Sequence, residues 1–337
     1  MEAKAAPKRH FDTKAFISKY AMYVILIILI AVFGLAEPAF FTGRNFVNIL
    51  TSESSRGLLA LGVAFCIITR GIDLSLGSVM AVSSVFSASL VQKLTYSTLI
   101  IPGLVNLPEI PAWVAVLFGL VVGTSFGVMN GLLVAYTKIH PFIATLGSMT
   151  IARGLALLFT NAYPVPMLRE DFTIIGQGTM FGFLPNIVCV FLLMAVVANV
   201  LLNHTRFGKN MFAVGGNVDA ARASGINVER TLVLAYTWSS FCAALAGVMV
   251  TSRSASGIAS LGTGYELDGI AAATVGGVSQ TGGVGSIVGC IGGILVLGVI
   301  NNGLLILGVS PYLQSIIKGA IIVIAVVFDM RKVARKK

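Results

Sequence analysis

The sequence predicts an all-α membrane protein of about ten transmembrane helices, arranged as two inverted repeats around a central polar loop on the cytoplasmic side. Three observations carry this. Of 337 residues, 56% are hydrophobic and only 11% are charged, and the mean hydropathy of +0.93 lies far outside the balance of soluble domains. At least five apolar runs approach or exceed the roughly 20 residues needed to cross a hydrocarbon layer. The basic residues are placed, not scattered: of 23 Lys and Arg, five lie in residues 1–19, four in 204–230 and five in 331–337. These are the cytoplasmic flanks of the positive-inside rule. The net charge of +10 therefore reports topology, and no zinc spacing or basic-aromatic stripe points to nucleic acid.

In order along the chain, residues 1–19 are a basic tail, 20–329 a transmembrane domain containing the loop 204–230, and 330–337 a second basic tail. The first span is expected at 20–36, where Gly34-Leu35-Ala36 loosely resembles a cleavage site but the run is long enough to stay as a span. Glu37-Pro38 ends it. The second span, 45–70, is polar in its first half (Ser52, Glu53, Ser54, Ser55, Arg56) and apolar in its second. Gly71-Ile-Asp-Leu-Ser-Leu-Gly-Ser78 breaks the run, with Asp73 placed either to cap a third helix reaching residue 92 or to act in a pathway at membrane depth. Residues 93–111, with Pro102, Pro108 and Pro111, suit a periplasmic loop. The fourth span, 112–136, carries Gly119, Gly123, Gly127 and Gly131 on one face, a seam for close helix packing. The fifth and sixth spans, 141–160 and 184–203, flank a polar outer segment at 161–183, and four more are expected at 231–252, 265–280, 284–308 and 313–329. An even count leaves both termini and the central loop in the cytoplasm. Cys66, Cys189, Cys242 and Cys290 all fall in apolar runs and read as small buried hydrophobes.

The central loop is the one long polar interval. Gly215 and Gly216 allow a tight turn, Asn217 is a good N-cap, Asp219 puts negative charge in the first turn, and Gly225 suits the left-handed position after a helix end. A helix of about two turns follows, with Ala220, Ala221, Ala223, Ser224 and Ile226 expected to be exposed and shaped to fit a partner's groove.

A repeat links the two halves. Gly127-Val-Met-Asn-Gly-Leu-Leu133, followed by Ile139-His-Pro-Phe-Ile143, is echoed by Gly298-Val-Ile-Asn-Asn-Gly-Leu-Leu305, followed by Val309-Ser-Pro-Tyr-Leu313. The first copy descends toward the cytoplasm and the second ascends, and Asp73 and Asp268 fit the same inverted relation, against which stands chance similarity between Gly/Leu-rich helices.

Catalytic motifs are missing. No Walker A sequence, His-Glu-x-x-His or Gly-x-Ser-x-Gly occurs, so the chain is not expected to be an enzyme or to hydrolyse ATP. The three histidines, His10, His140 and His204, fall at predicted cytoplasmic borders. Spans rich in Gly, Ser, Thr and Asn but poor in charge suit passage of a neutral polar solute. Asn130, Asn301 and Asn302, with Asp73, are the pathway candidates, and interhelical hydrogen bonding is the competing reading for the asparagines. An ion-coupled secondary transporter using Asp73, Glu266 or Asp268 stays open at this stage.

Further segments complete a pattern: His140-Pro-Phe-Ile-Ala-Thr-Leu-Gly147, Thr205-Arg-Phe-Gly-Lys-Asn210, Gly215-Gly-Asn-Val-Asp-Ala-Ala-Arg-Ala-Ser-Gly-Ile226, Tyr265-Glu-Leu-Asp-Gly-Ile-Ala-Ala272, Val275-Gly-Gly-Val-Ser279 with Gly282-Gly-Val-Gly285, and Ser310-Pro-Tyr-Leu-Gln-Ser-Ile-Ile-Lys-Gly319. With Gly71–Ser78 they resemble, over nearly the whole chain, the permease subunits of bacterial sugar ABC importers of the ribose/galactose type, with the galactoside branch the nearer. Asp219-Ala220-Ala221 followed by Gly225 is similar to that family's coupling helix, with Asp in place of the commoner Glu, and Leu313 stands where the galactoside branch has an aromatic. The resemblance implies a permease pair in the bacterial inner membrane, expected as a homodimer, that binds no cofactor of its own. Two cytosolic ATPase subunits carrying ATP and Mg dock on the coupling helices, with Gly215, Gly216, Asn217, Asp219, Ala220, Ala221, Ser224 and Gly225 as coupling residues, and a periplasmic sugar-binding protein docks outside. Galactose, glucose or a methyl-galactoside is the expected cargo, with ribose or a nucleoside as the alternative.

Overall fold

The protein is described here from a computed structural model covering residues 13–106 and 108–334; most of the two basic tails lies outside the described residues. Helices stand at each predicted place. They are α1 Thr13–Ala36, α2 Gly43–Ile68, α3 Leu76–Leu90, α4 Ala112–Tyr136, α5 Pro141–Thr160, α6 Glu170–Gln177, α7 Asn186–His204, α8 Arg206–Gly216, α9 Val218–Ala223, α10 Val228–Ser254, α11 Tyr265–Val275, α12 Ile287–Ile306 and α13 Pro311–Ala334. Among the described residues seven of them (α2, α4, α5, α7, α10, α12 and α13) are long and apolar enough to cross a membrane. Of the other three expected spans, two fall on shorter helices, the 15-residue α3 and the 11-residue α11, and the third on α1, whose apolar stretch Met22–Ala36 is short.

The span expected at 265–280 ends early for a local reason. Gly276 follows α11, Gly277 takes φ +88°, and Gly282 and Gly283 are also left-handed, so the chain folds into an irregular turn before α12. The segment 161–183 also holds more structure than expected, α6 and β1 Thr179–Met180, which pairs with β2 Leu184–Pro185 at the start of the expected sixth span.

Helix α2 is the axis of the bundle. Of its most apolar stretch 89% is buried, against 61% for α10 and none for α13. Small residues make this possible: a Cβ at Gly62 would lie 2.8 Å from Ser239 O, so α2 and α10 run backbone to backbone. The glycine ladder of α4 does what its spacing predicts. A Cβ at Gly119 would meet Ser83 O at 3.0 Å, one at Gly127 would meet Ser240 Cβ at 2.7 Å and one at Gly131 would meet Val233 Cα at 2.6 Å, so the whole seam lies on α3 and α10. The principal buried cluster runs through α2, α3, α10 and α11, while α1 packs on α12 through Phe33, with Phe40 of the following turn beside it.

Candidate functional site

The central loop is built from a chain of side-chain caps. Thr205 accepts from Gly208 N and starts α8; Asn217 accepts from Ala220 N at 3.0 Å and starts α9; Asn227 accepts from Arg230 N at 2.8 Å and starts α10. At the end of α9, Gly225 has φ +80°, Gly225 N donates to Arg222 O and Ile226 N donates to Ala221 O, the paired bonds that close a helix through a left-handed residue. Asp219 in the first turn and Arg222 in the last both oppose the helix dipole. Asn217, Asp219 and Gly225 thus occupy the predicted positions.

Three expectations need correction. Residues 206–216 are helical, which the sequence reading did not anticipate. Gly215 and Gly216 are the last residues of that helix and form no tight turn. A Cβ at Gly215 would lie 2.6 Å from Gly283 N and nearer still to Ile68 O, so the missing side chain serves close approach of α8 to the end of α2. Ala221 is buried with Val214 and Val228 under α9, and Ile226 is half-buried, because one face of even a six-residue helix must rest on the bundle. The exposed surface is Gly216, Asn217, Asp219, Ala220, Arg222, Ala223, Ser224 and Gly225.

Arg70 ties this loop to the membrane domain. It follows α2 with φ +64°, and its guanidinium donates to Gly215 O at 2.6 Å and Gly216 O at 2.5 Å, capping the carbonyl end of α8. Gly283 N donates to Ile68 O at 2.9 Å, so the α8 end, the α2 end and the 276–286 turn meet at one point.

Directly after Arg70 lies a buried polar node. Asp73 does not cap α3, which starts at Leu76 without a side-chain cap. Its Oδ1 accepts from Ser75 N (3.0 Å) and Ser75 Oγ (2.6 Å), and its Oδ2 accepts from Ser239 Oγ of α10 (2.8 Å). Asn130 of α4 donates to Ser75 Oγ at 3.0 Å, while its Oδ1 has no partner. Two of the four pathway candidates are therefore joined through Ser75, and both are completely buried.

The other two lie elsewhere. Asn302 exchanges paired amide bonds of 2.9 Å with Asn45, and Asn301 adjoins the Glu53 carboxylate. Around Glu53 is a charge quartet: Arg56 Nη1 lies 2.5 Å from Glu53, Arg56 Nε 3.0 Å from Asp268, and Lys318 Nζ 3.2 Å from Asp268. Arg56 also stacks over the Tyr265 ring at 4.8 Å. Glu53, Arg56 and Lys318 of the quartet border a cleft of about 180 Å³ between α2, α12 and α13. Sequence reading placed Glu53 and Arg56 on α2 and gave them no role; their three-residue spacing within a membrane span, and a lone lysine at position 318 of an apolar helix, were the available signals.

Comparison with known proteins completes the description. The family profile "Branched-chain amino acid transport system / permease component" matches residues 45–326. The galactose/methyl galactoside import permease protein of Escherichia coli (strain K12) is 40% identical over 339 residues, covering 99% of each chain. That of Haemophilus influenzae is 41% identical over 323 residues, covering 94% of this chain and 95% of the relative. The ribose import permease protein of Escherichia coli (strain K12) is 38% identical over 336 residues, covering 98% and 100%. No solved structure matches the chain.

Proposed function

The chain belongs to the branched-chain amino acid transport system / permease component family, and from that we propose that it is the membrane-spanning subunit of a bacterial ABC importer for a monosaccharide, galactose, glucose or a methyl-galactoside. The observation that carries the mechanism is the capped α8–α9 loop locked to the end of α2 by Arg70. A partner ATPase subunit binds ATP and Mg and docks on the exposed face of α9. Its nucleotide-driven closure moves α8–α9, Arg70 passes the displacement to residues 71–75, and the Asp73–Ser75–Asn130 and Asp73–Ser239 bonds pass it to α4 and α10. Alternating access follows because nucleotide favours the closed state, and only differential affinity shifts such an equilibrium. The complex contains two copies of this chain and receives sugar from a periplasmic binding protein; both termini and the α8–α9 loop lie in the cytoplasm.

Ten spans in two inverted repeats are part of this reading, and matched contacts support them. In α10, Tyr236 and Ser239 sit three residues apart with Ser239 on Asp73; in α2, Glu53 and Arg56 sit three apart with Arg56 on Asp268. Gly127 of α4 packs on Tyr236 as Gly298 of α12 packs on Glu53. The rival carrier mechanism needs an acid free to take an ion. Asp73 already accepts three hydrogen bonds and Asp268 is held by two cations, which disfavours both of these acids and leaves Glu266 as that mechanism's remaining candidate.

Competition tests the cargo. In vesicles bearing the whole complex, unlabelled galactose and methyl-galactosides are expected to block labelled galactose uptake at lower concentration than ribose. Preferential block by ribose or a nucleoside overturns the galactoside assignment.

A further inference from the structure

The two polar nodes occupy matched places but differ in character. The inner one, around Asp73 and Asn130, is neutral in its partners and sealed from solvent. The outer one is charged and opens onto the cleft. We propose that this cleft, walled by Glu53, Arg56, Asn301, Asn302, Gln314 and Lys318, is a low-affinity transit site for a neutral pyranose; the proposal rests on the sugar-importer reading above.

Depth is the first argument. Glu53 lies ten residues into α2, about 15 Å along its axis, and Gln314 and Lys318 share one face of α13. Ionisable groups placed so deep face a pathway or a cavity, and they add little stability that apolar packing would not supply. Charge balance is the second. Glu53 and Asp268 are matched by Arg56 and Lys318, so an ionic solute would have to break a pair, whereas a ring of hydroxyls can donate to the carboxylate and accept from the cations without displacing either. Unused capacity is the third. Gln314 Nε2 donates to Val309 O, which leaves Oε1 to accept; Lys318 spends its donors on Asp268 alone and keeps at least one; Asn301 faces the cleft beside Glu53. Such side-on contacts hold a solute weakly, as transit requires.

The test uses the full permease–ATPase complex with Cys66, Cys189, Cys242 and Cys290 replaced by alanine and Gln314→Cys introduced. Saturating galactose is expected to slow modification of that thiol by a small methanethiosulfonate reagent several-fold, while equimolar betaine does not. Adding Asn301→Leu is expected to abolish the protection without changing the rate in the absence of sugar. Ser52→Cys on the exposed rim gives the same reading if Gln314→Cys does not assemble. Galactose transport by the complex with no protection at either thiol, or equal protection by betaine, overturns the site and leaves the importer reading standing. A complex that transports no sugar at all overturns both.

Discussion

Gly215→Ala probes the junction between the loop and the membrane domain. The new Cβ would stand 2.6 Å from Gly283 N, 2.9 Å from Ile68 C and closer still to Ile68 O. Ordinary contact for carbon is about 3.5–4.0 Å, so α8 must retreat by more than about 1 Å from backbone atoms that have no rotamer to yield. Overpacking of this kind costs about 1–3 kcal/mol. The retreat also stretches the Arg70 bonds to Gly215 O and Gly216 O, now 2.6 and 2.5 Å, past hydrogen-bond length, and bonds to a charged group contribute about 1.5–3 kcal/mol each. Taking about 4 kcal/mol, the low end of these contributions together, the docked arrangement of the loop falls roughly 1,000-fold relative to undocked ones. The assay is thermal unfolding of the purified permease beside ATP-dependent uptake by the complex. Gly215→Ala is expected to lower the melting temperature and to reduce uptake by more than about tenfold. Gly216→Ala is the control for stability, since nothing lies within 4 Å of its Cβ, and it is expected to melt as the unsubstituted protein does. Equal melting of the two variants with normal uptake by Gly215→Ala would refute the reasoning.

Three other outcomes follow from the same geometry. Gly225→Val places a β-branched residue at φ +80° and is expected to cost more than about 1 kcal/mol, uncoupling ATP hydrolysis from uptake while the chain still inserts; unchanged sugar-stimulated hydrolysis would remove the loop from transmission. Asn130→Leu deletes the bond to Ser75, a polar link worth about 1 kcal/mol between membrane helices, and is expected to lower uptake with assembly intact; failure to assemble would make Asn130 a packing residue. A thiol reagent that cannot cross the membrane is expected to label Glu170→Cys in whole cells and to miss Asn217→Cys, both in the background without native cysteines; labelling of Asn217→Cys from outside would reverse the orientation.

What the sequence disclosed depended on how local each determinant is. Apolar runs and their caps placed the helices, and α9 was legible because Asn217 and Gly225 act within a few residues of themselves. Glycine proved ambiguous. The α4 ladder announced close packing by its spacing, but Gly215 looked like a turn residue when it serves close approach to Ile68, a neighbour far away in sequence. Ala221 was misassigned for a similar reason, since which face of α9 meets the bundle depends on Val214 and Val228 beneath it. The charge quartet was signalled only in parts, by the Glu53/Arg56 spacing and the lone Lys318: Glu53, Arg56, Asp268 and Lys318 come together only when α2, α11 and α13 have packed. The unexpected α8 is amphipathic but carries Gly208, Gly215 and Gly216, and only its contacts with α7, α10 and the α2 end make that glycine-rich stretch helical.

The most direct measurement is accumulation of labelled galactose in vesicles containing this chain and supplied with its periplasmic binding protein, with or without its ATPase, driven either by ATP or by a proton or sodium gradient. Accumulation is expected only with the ATPase and ATP, and is lost when either is withheld. Accumulation by this chain alone under an ion gradient would contradict the importer reading.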